Sequence, residues 1–249
     1  MTATLPAIDL ESVAVELATG SRLWRDIRVT TSSDDVASTP GQVVVGLQHP
    51  EPGTHQAGFS VALRRHEADV PVWITLMAST ALAEAIRGDT GVAVWSVWPD
   101  SVIAPDGQAI AGAEAYEATD AMVVRFRVVF GSDGIPFGPA PAALEQYAAE
   151  RPGVQSLVVE VLQAFERLYL RWSDFARDPG PSGLVADYAS FCGSIKVEVE
   201  ADLQNGSRLL GTAEGIDPDG RLVVRRGETI TTLAPQNVSH VRPLAVLPS

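Results

Sequence analysis

The residues of this sequence that are best placed to do chemistry lie at the turn of a predicted hairpin. Asp100 and Ser101 directly follow Pro99, which ends a predicted buried strand because proline offers no amide hydrogen to a sheet. The next predicted strand is interrupted by Gly112, and a glycine inside a strand often marks a place where a ligand or another backbone comes close. A carboxylate beside such an open backbone can accept hydrogen bonds from a ligand. The stretch 91–114 therefore predicts a hairpin that borders a polar cleft.

Trp95 and Trp98 stand beside this turn and allow two interpretations. They could form the wall of a ligand pocket. Alternatively, one of the pair fills the core, because tryptophans in a strand of this kind mostly bury area.

Metal and serine-hydrolase chemistry are not predicted. His49, His55 and His66 have no carboxylate or second cluster at ligand spacing, so they are interpreted as ordinary loop histidines. The sequence contains no Gly-x-Ser-x-Gly segment. The single cysteine, Cys192, is interpreted as a small buried hydrophobe.

The composition predicts a globular chain with neither a nucleic-acid nor a membrane partner. A length of 249 residues with 46% apolar content suffices for one large domain, or for one large and one small. A formal charge of −13 at pH 7 opposes binding to phosphate backbones. No segment has the length and apolarity of a bilayer span, and one cysteine fits a reducing compartment, which together predict a cytoplasmic location. Lys196 is the only lysine, so a mechanism that needs an ammonium group has one candidate.

Hydrophobic periodicity predicts an α+β fold. Apolar residues at helical spacing predict helices over 8–18, 72–87, 144–149 and 154–172. Strands are predicted over 27–30, 43–47, 59–63, 108–117 and 123–130. In the last of these strands, Arg125 and Arg127 alternate with apolar residues, which indicates one solvated face. Beyond Cys192 only short strands and turn signals occur, so we divide the chain into 1–190 and a small β-barrel, 191–249.

Four landmarks, in the same order, resemble the biotin–protein ligases of the biotin/lipoate ligase family. Trp98-Pro99-Asp100, followed by a turn and Ile110-Ala111-Gly112, resembles the Trp-Pro-Asn-Asp and Lys-x-x-Gly hairpin of that family. The segments 211–225 and 237–242 are similar to its SH3-like C-terminal domain. Ser32-Ser33-Asp34, which by itself is interpreted as a helix cap, stands where the family has Ser-Thr-Asn, and Gln48 stands where it has a glutamine. The resemblance implies a mixed sheet with packed helices and an SH3-like barrel.

The resemblance also implies a site, cofactors and partners. The implied ligand-binding residues are Ser32, Ser33, Asp34, Gln48, Trp98, Asp100, Gly112 and Arg242. Such ligases join biotin to ATP, with magnesium, and pass the biotinyl group from the adenylate to a lysine of a carrier domain. The implied partners are therefore a small carboxylic acid and a biotin or lipoyl carrier domain, and the family's exposed sheet edges allow a homodimer. No helix-turn-helix precedes the domain, so the DNA-binding form of the family is not implied.

The sequence departs from the family where adenylation needs positive charge. Ala109 holds the lysine position, and the stretch 49–56 contains no arginine where the family has a Gly-Arg-rich loop. Asp100-Ser101 replaces Asn-Asp, which exchanges an amide donor for a carboxylate that only accepts. Removing one charge-stabilising donor costs a factor of about 10²–10³ in rate, or roughly 3–4 kcal/mol. We therefore expect a pseudoenzyme-like scaffold that binds an acid but has lost or weakened adenylation.

Two alternatives stay open at the level of sequence. The chain could be an active ATP-dependent ligase in which Arg64, Arg65 and Arg242 replace the missing lysine, although a planar guanidinium is not equivalent to an ammonium group. It could instead be an interaction protein without a small ligand. In that case its own side chains would fill the space beside Trp98 and Gly112.

Overall fold

The computed structural model describes Val13, Leu17 and residues 21–30, 36–48, 54–132, 142–150 and 152–244. Its larger sheet has seven strands: β1 (Asp26–Thr30), β2 (Gln42–Gln48), β3 (Thr54–Arg64), β4 (Trp95–Val97), β5 (Ser101–Ile103), β6 (Ala109–Glu117) and β7 (Ala121–Ser132). The strand order is β1-β2-β3-β7-β6-β5-β4. Because β1 and β2 run parallel and the other neighbouring pairs are antiparallel, the sheet is mixed, as predicted.

Three helices lie on one side of this sheet: α1 (Pro71–Thr90), α2 (Val154–Asp174) and α3 (Leu184–Phe191). α1 packs directly on β4 to β7, and α2 and α3 pack against α1. α1 is buried along most of its length and ends at Gly91, whose φ of 70° closes the helix in the left-handed region. α2 is amphipathic, with its apolar stripe in the core. The predicted helix 144–149 is a short 3-10 helix, Leu144–Gln146, and α3 was not predicted. Of the predicted helix 8–18, Val13 and Leu17 are helical and buried, and the rest lies outside the described residues.

Side-chain alternation gives the larger sheet two different faces. Phe59 and Phe126 stack at 4.7 Å between ring centroids in the core, on the face that the helices cover. Ser60 and Arg125 point to the opposite face, which we call the outer face. Part of the outer face is covered by the segment between β1 and β2, where Ala37 is buried and its amide donates to the Ser60 hydroxyl at 2.8 Å.

The C-terminal segment forms a second, antiparallel sheet. Its strands are β8 (Glu198–Leu203), β9 (Arg208–Ile216), β10 (Leu222–Arg226), β11 (Thr229–Leu233) and β12 (Val238–Pro243), in the order β11-β10-β9-β8-β12. The predicted hairpin turns are present, since the amides of Gly206 and Gly220 each donate back to the residue three positions earlier. Within the described residues β11 and β12 are not paired, so closure into a barrel is not confirmed.

Two tryptophan side chains, one from the hairpin and one from α1, donate hydrogen bonds to the turn between β9 and β10. The Trp98 indole Nε1–H donates to the Gly220 carbonyl at 2.9 Å, and the Trp73 indole donates to the Pro218 carbonyl at 2.7 Å. Gly220 has a φ of 79°, and a Cβ there would lie 2.6 Å from the Val72 side chain. Both the backbone conformation and the lack of space therefore require glycine at this position. The second sheet is therefore attached to the site hairpin by a buried hydrogen bond and to α1 by a partly buried one.

Within the described part of the chain, no helix combines the length and apolarity that crossing a bilayer requires. Nor do three His, Cys, Asp or Glu side chains of those residues come together in a group suited to a metal ion. The cytoplasmic location stays a prediction.

Candidate functional site

The predicted turn brings Asp100 and Gly112 into direct backbone contact. Ser101 of β5 pairs with Gly112 of β6, and the Ala113 amide donates to the Asp100 carbonyl at 2.8 Å. A Cβ at Gly112 would lie 3.0 Å from that carbonyl oxygen, which is tighter than ordinary contact. The glycine in this strand therefore serves a close approach of backbone to backbone.

Gly112→Ala is expected to lower the free energy of unfolding by about 1 kcal/mol or more, because the added methyl group must push the Asp100 turn away. Gly215→Ala is the matched control, since a Cβ at that strand position meets nothing within 4 Å. Chemical denaturation of both variants measures the difference. Equal stability of the two would show that the Asp100 turn yields without cost.

Asp100 is electrostatically coupled to the outer face. Burial raises the pKa of its carboxyl, and the hydrogen bond donated by Ser101 Oγ at 3.1 Å opposes this rise. The positive charge of Arg127 also lowers the pKa, whereas the negative charge of Glu114 raises it. The charges of Arg127 and Glu114 on the outer face therefore act on the Asp100 carboxyl in the hairpin turn.

A cleft of about 130 Å³ lies on the outer face at the centre of the sheet. Its lining includes Val36, Val44, Gly46, Gly58, Ser60, Glu114, Arg125 and Arg127. The register aligns Gly46, Gly58, Arg127, Gly112 and Ser101 as one row across five strands. Gly46 and Gly58 line the cleft, so a ligand can approach the backbone on the β3 side of Arg127. On the other side Gly112 is buried beneath the Asp100 carbonyl.

The two arginines of this cleft, which we call the outer-face cleft, have different surroundings. Arg125 pairs with Glu114 at 3.7 Å, and its guanidinium carbon lies 5.1 Å from the centre of the Tyr116 ring. Arg127 is exposed, and no described residue hydrogen-bonds or ion-pairs with its guanidinium group. An anionic ligand can therefore reach Arg127 without first breaking an ion pair to any residue that the structure describes.

The structure brings only some of the predicted residues to this site. Trp98 is 1% exposed, belongs to the core and does not line the outer-face cleft. Arg242 lies on β12 and pairs with Glu200, so it does not line the outer-face cleft. Ser32, Ser33 and Asp34 lie outside the described residues. Gln48 ends β2, and its side chain also lies outside the described part.

The other positions of interest lie at the margins of the sheet. Ala109 is exposed at the start of β6, three residues before Gly112. Arg64 is exposed at the end of β3, and Arg65 pairs with Glu117 at 2.6 Å. Neither arginine lines the outer-face cleft.

Arg125, Arg127 and Glu114 are site residues that the sequence analysis did not identify. The alternation Arg-Phe-Arg was interpreted only as a solvated strand face. The available signal was the short connection between the predicted strands 108–117 and 123–130, because consecutive strands often pair and cross-strand neighbours on one face interact.

Comparison with known proteins gives a consistent set of similarities. No protein-family model matches the chain. The chain is 24% identical, over 268 aligned positions, to a Mycobacterium tuberculosis biotin–[acetyl-CoA-carboxylase] ligase, covering 95% of this chain and 97% of that protein. The Aquifex aeolicus biotin protein ligase in complex with biotin and ATP matches with a TM-score of 0.70 at 15% identity, over 88% of this chain and 97% of that one. A biotin protein ligase-like protein of unknown function from Silicibacter sp. matches with a TM-score of 0.60 at 15% identity, over 93% and 91%.

Proposed function

We propose that this protein, a biotin protein ligase-like member of the biotin/lipoate ligase family, binds a small carboxylic acid in the outer-face cleft and has lost or greatly weakened ATP-dependent adenylation. The cleft, its glycine row and Arg127 support binding of an acid. The distribution of charge around it supports the loss of adenylation.

The main observation behind this proposal is that the positive and negative charges of the described residues around the site cancel. Arg125 and Arg127 contribute two positive charges, while Glu114 and Asp100 contribute two negative charges when ionised. Adenylation brings a carboxylate and phosphates together, so it needs an excess of positive charge to stabilise the developing anion. Ala109, at the position where the resemblance places the family lysine, offers a methyl group instead. This balance of charge favours the binding of one anionic group over a reaction that brings two anionic groups together.

The partners proposed from the relatives follow the same reasoning. The Aquifex protein binds biotin and ATP, and the Mycobacterium protein is a ligase for acetyl-CoA carboxylase. For this chain we propose biotin or a lipoate-like acid as ligand, and a biotin or lipoyl carrier domain as protein partner. ATP with magnesium is the proposed cofactor only if adenylation survives. The proposed ligand contacts are Ser32, Ser33, Asp34, Gln48, Asp100, Gly112 and Arg127.

The division of the chain at about residue 190 is part of the proposal, with the second sheet as an SH3-like module. Its five antiparallel strands and tight glycine turns support this assignment.

A second candidate is an active ligase that uses arginine in place of lysine. The observation that favours it is the guanidinium of Arg127, which has no partner among the described residues. In this candidate Arg127, and not Arg64 or Arg242, would neutralise the reacting groups. The interaction-protein alternative stays a third candidate, because Trp98 and Gly112, beside which it predicts filled space, are both buried and do not line the outer-face cleft.

Two assays on the full chain separate these candidates. Calorimetry with biotin, lipoate and ATP measures binding, and acid-dependent exchange of pyrophosphate into ATP measures adenylation. We expect binding of an acid together with an exchange rate at least about 10² below that of an active ligase assayed in parallel.

Exchange at the rate of the active ligase would overturn the proposal in favour of the second candidate. Absence of binding by both acids would favour an interaction protein. Transfer of labelled biotin to a carrier domain provides an independent check, since transfer requires the adenylate.

A further inference from the structure

The position of Arg127 in the glycine row has a consequence for ligand choice. We infer that Arg127 is the receptor for the carboxylate of the bound acid, and that Gly58 and Gly46, on the β3 side of Arg127, admit the adjoining part of the ligand. This inference rests on the proposed function and specifies which group of the protein recognises the acid. It makes a free carboxylate, and not an amide or ester, the required feature of the ligand.

The sheet register places glycines next to Arg127 on the neighbouring strands. Gly58 of β3 and Gly112 of β6 lie directly opposite Arg127 of β7, and Gly46 of β2 continues the row. Neighbouring strands lie about 4.8 Å apart, so on this face of the sheet the nearest cross-strand side chains to Arg127 in its row are absent. The Asp100 carbonyl covers Gly112, whereas Gly58 and Gly46 line the cleft. A small ligand can therefore lie against the backbone on the β3 side of the guanidinium group.

No described residue competes with a ligand for the guanidinium group of Arg127. The adjacent row is already occupied, because Arg125 pairs with Glu114 at 3.7 Å and the Ser60 hydroxyl accepts the Ala37 amide at 2.8 Å. Arg127 has no such partner in the described part of the chain. A guanidinium group presents a planar fork of donors that matches a carboxylate with two parallel hydrogen bonds.

Asp100 sets a limit on how much negative charge the site accepts. Its carboxyl interacts electrostatically with Arg127 from the hairpin turn. A ligand with one carboxylate places a single negative charge beside one guanidinium group. A phosphate or a second carboxylate would add repulsion from both Asp100 and Glu114. The charges around the cleft therefore favour a monocarboxylic acid over a phosphate or a dicarboxylic acid.

The cleft volume restricts the ligand further. At about 130 Å³ it is smaller than the range of about 300–1,000 Å³ that is typical of sites for drug-sized ligands. We therefore expect the carboxyl end of the acid to enter the cleft.

Calorimetry with matched acid and amide pairs tests the inference. Biotin, lipoate and octanoate are titrated into the wild-type chain, and so are the corresponding amides. We expect the best-bound acid to bind at least about 10-fold more tightly than its amide, since a hydrogen bond to a charged group contributes about 1.5–3 kcal/mol. Arg127→Gln should weaken binding of the acid about 10- to 150-fold while leaving the amide unchanged.

Arg64→Gln is the matched control, because Arg64 is an exposed arginine on the same strand face as Gly58, roughly 20 Å along β3. It should bind the acid like the wild type. Arg127→Lys, which keeps the charge but loses the planar fork, should give an intermediate affinity. Thermal unfolding checks that each variant is folded.

Unchanged affinity of Arg127→Gln for the acid would overturn this inference while leaving the proposed function intact. Equal binding of acid and amide by the wild type would do the same. If none of the three acids binds the wild-type chain, the proposed function and this inference both fail. An adenylation result does not affect the test, because ATP is omitted.

Discussion

Arg177→Ala is expected to lower the free energy of unfolding by about 3 kcal/mol or more. Arg177 Nε donates to Asp69 Oδ1 at 2.7 Å, and the two side chains are 14% and 1% exposed. The guanidinium carbon also lies 5.4 Å from the Trp172 ring centre, and the group donates to the Tyr169 hydroxyl at 3.2 Å. Removing the arginine leaves a buried carboxylate without its cation. Equilibrium denaturation by urea measures the loss.

The control for this prediction is Arg167→Ala. Arg167 pairs with Glu84 at 2.5 Å between α2 and α1, but these side chains are 50% and 40% exposed. Exposed ion pairs contribute about 0–1 kcal/mol, so this variant should unfold almost like the wild type. A similar small loss in both variants would contradict the prediction. It would show that the His66 amide, which donates to Asp69 at 2.8 Å, satisfies the carboxylate alone.

Combining Ala109→Lys with Asp100→Asn is expected to raise the rate of acid-dependent pyrophosphate exchange by about 10² or more. The lysine adds a cation at the position where the resemblance places one, and the asparagine removes a carboxylate that cancels Arg127. The charge of the site then changes from balanced to positive. The exchange assay with the best-bound acid and ATP measures the effect.

Ala109→Met with Asp100→Asn is the control, because methionine has comparable length without the charge. An increase in this variant equal to that with lysine would show that charge at residue 109 is not the missing element. Rapid exchange by the wild type would also contradict the prediction, because it would show that no positive charge is missing, and it would support the active-ligase candidate.

Asp100→Asn alone should also change the dependence of stability on pH. Burial raises the pKa of the Asp100 carboxyl, so the ionised form is disfavoured in the folded protein. The stability that this group contributes is present below its unfolded pKa and is lost as the pH rises through its folded pKa. The asparagine variant should therefore gain stability relative to the wild type at neutral pH.

Most of the fold was predictable because local rules determine it. α2 follows from an amphipathic pattern, and the turn at Gly107 follows from proline and glycine chemistry. The helix Leu184–Phe191 was missed because it is short and follows a segment rich in proline and glycine. The first residues of β3 were predicted as loop, since turn-forming residues come just before them.

The site was less predictable, because it depends on long-range pairing. The Asp100–Gly112 contact lies within one hairpin, and the sequence indicated it. The glycine row needs the registers of β2, β3, β7 and β6 together, and none of these follows from residue spacing alone. The acceptor of the Trp98 indole is Gly220, far away in the sequence. Burial of Trp98 was therefore one of two interpretations until the tertiary structure was known.

The second sheet supplies hydrogen-bond acceptors to side chains that pack on the larger sheet. Pro218 and Gly220 are acceptors for two indole groups that belong to α1 and to the hairpin. If a protease removed the segment from β8 onward, both indole N–H groups would lose their acceptors in apolar surroundings, and one side of Trp98 would become exposed. The residues upstream of such a cleavage should then lose the geometry of the Asp100 turn, so a shortened chain would not report on the ligand site of the intact protein.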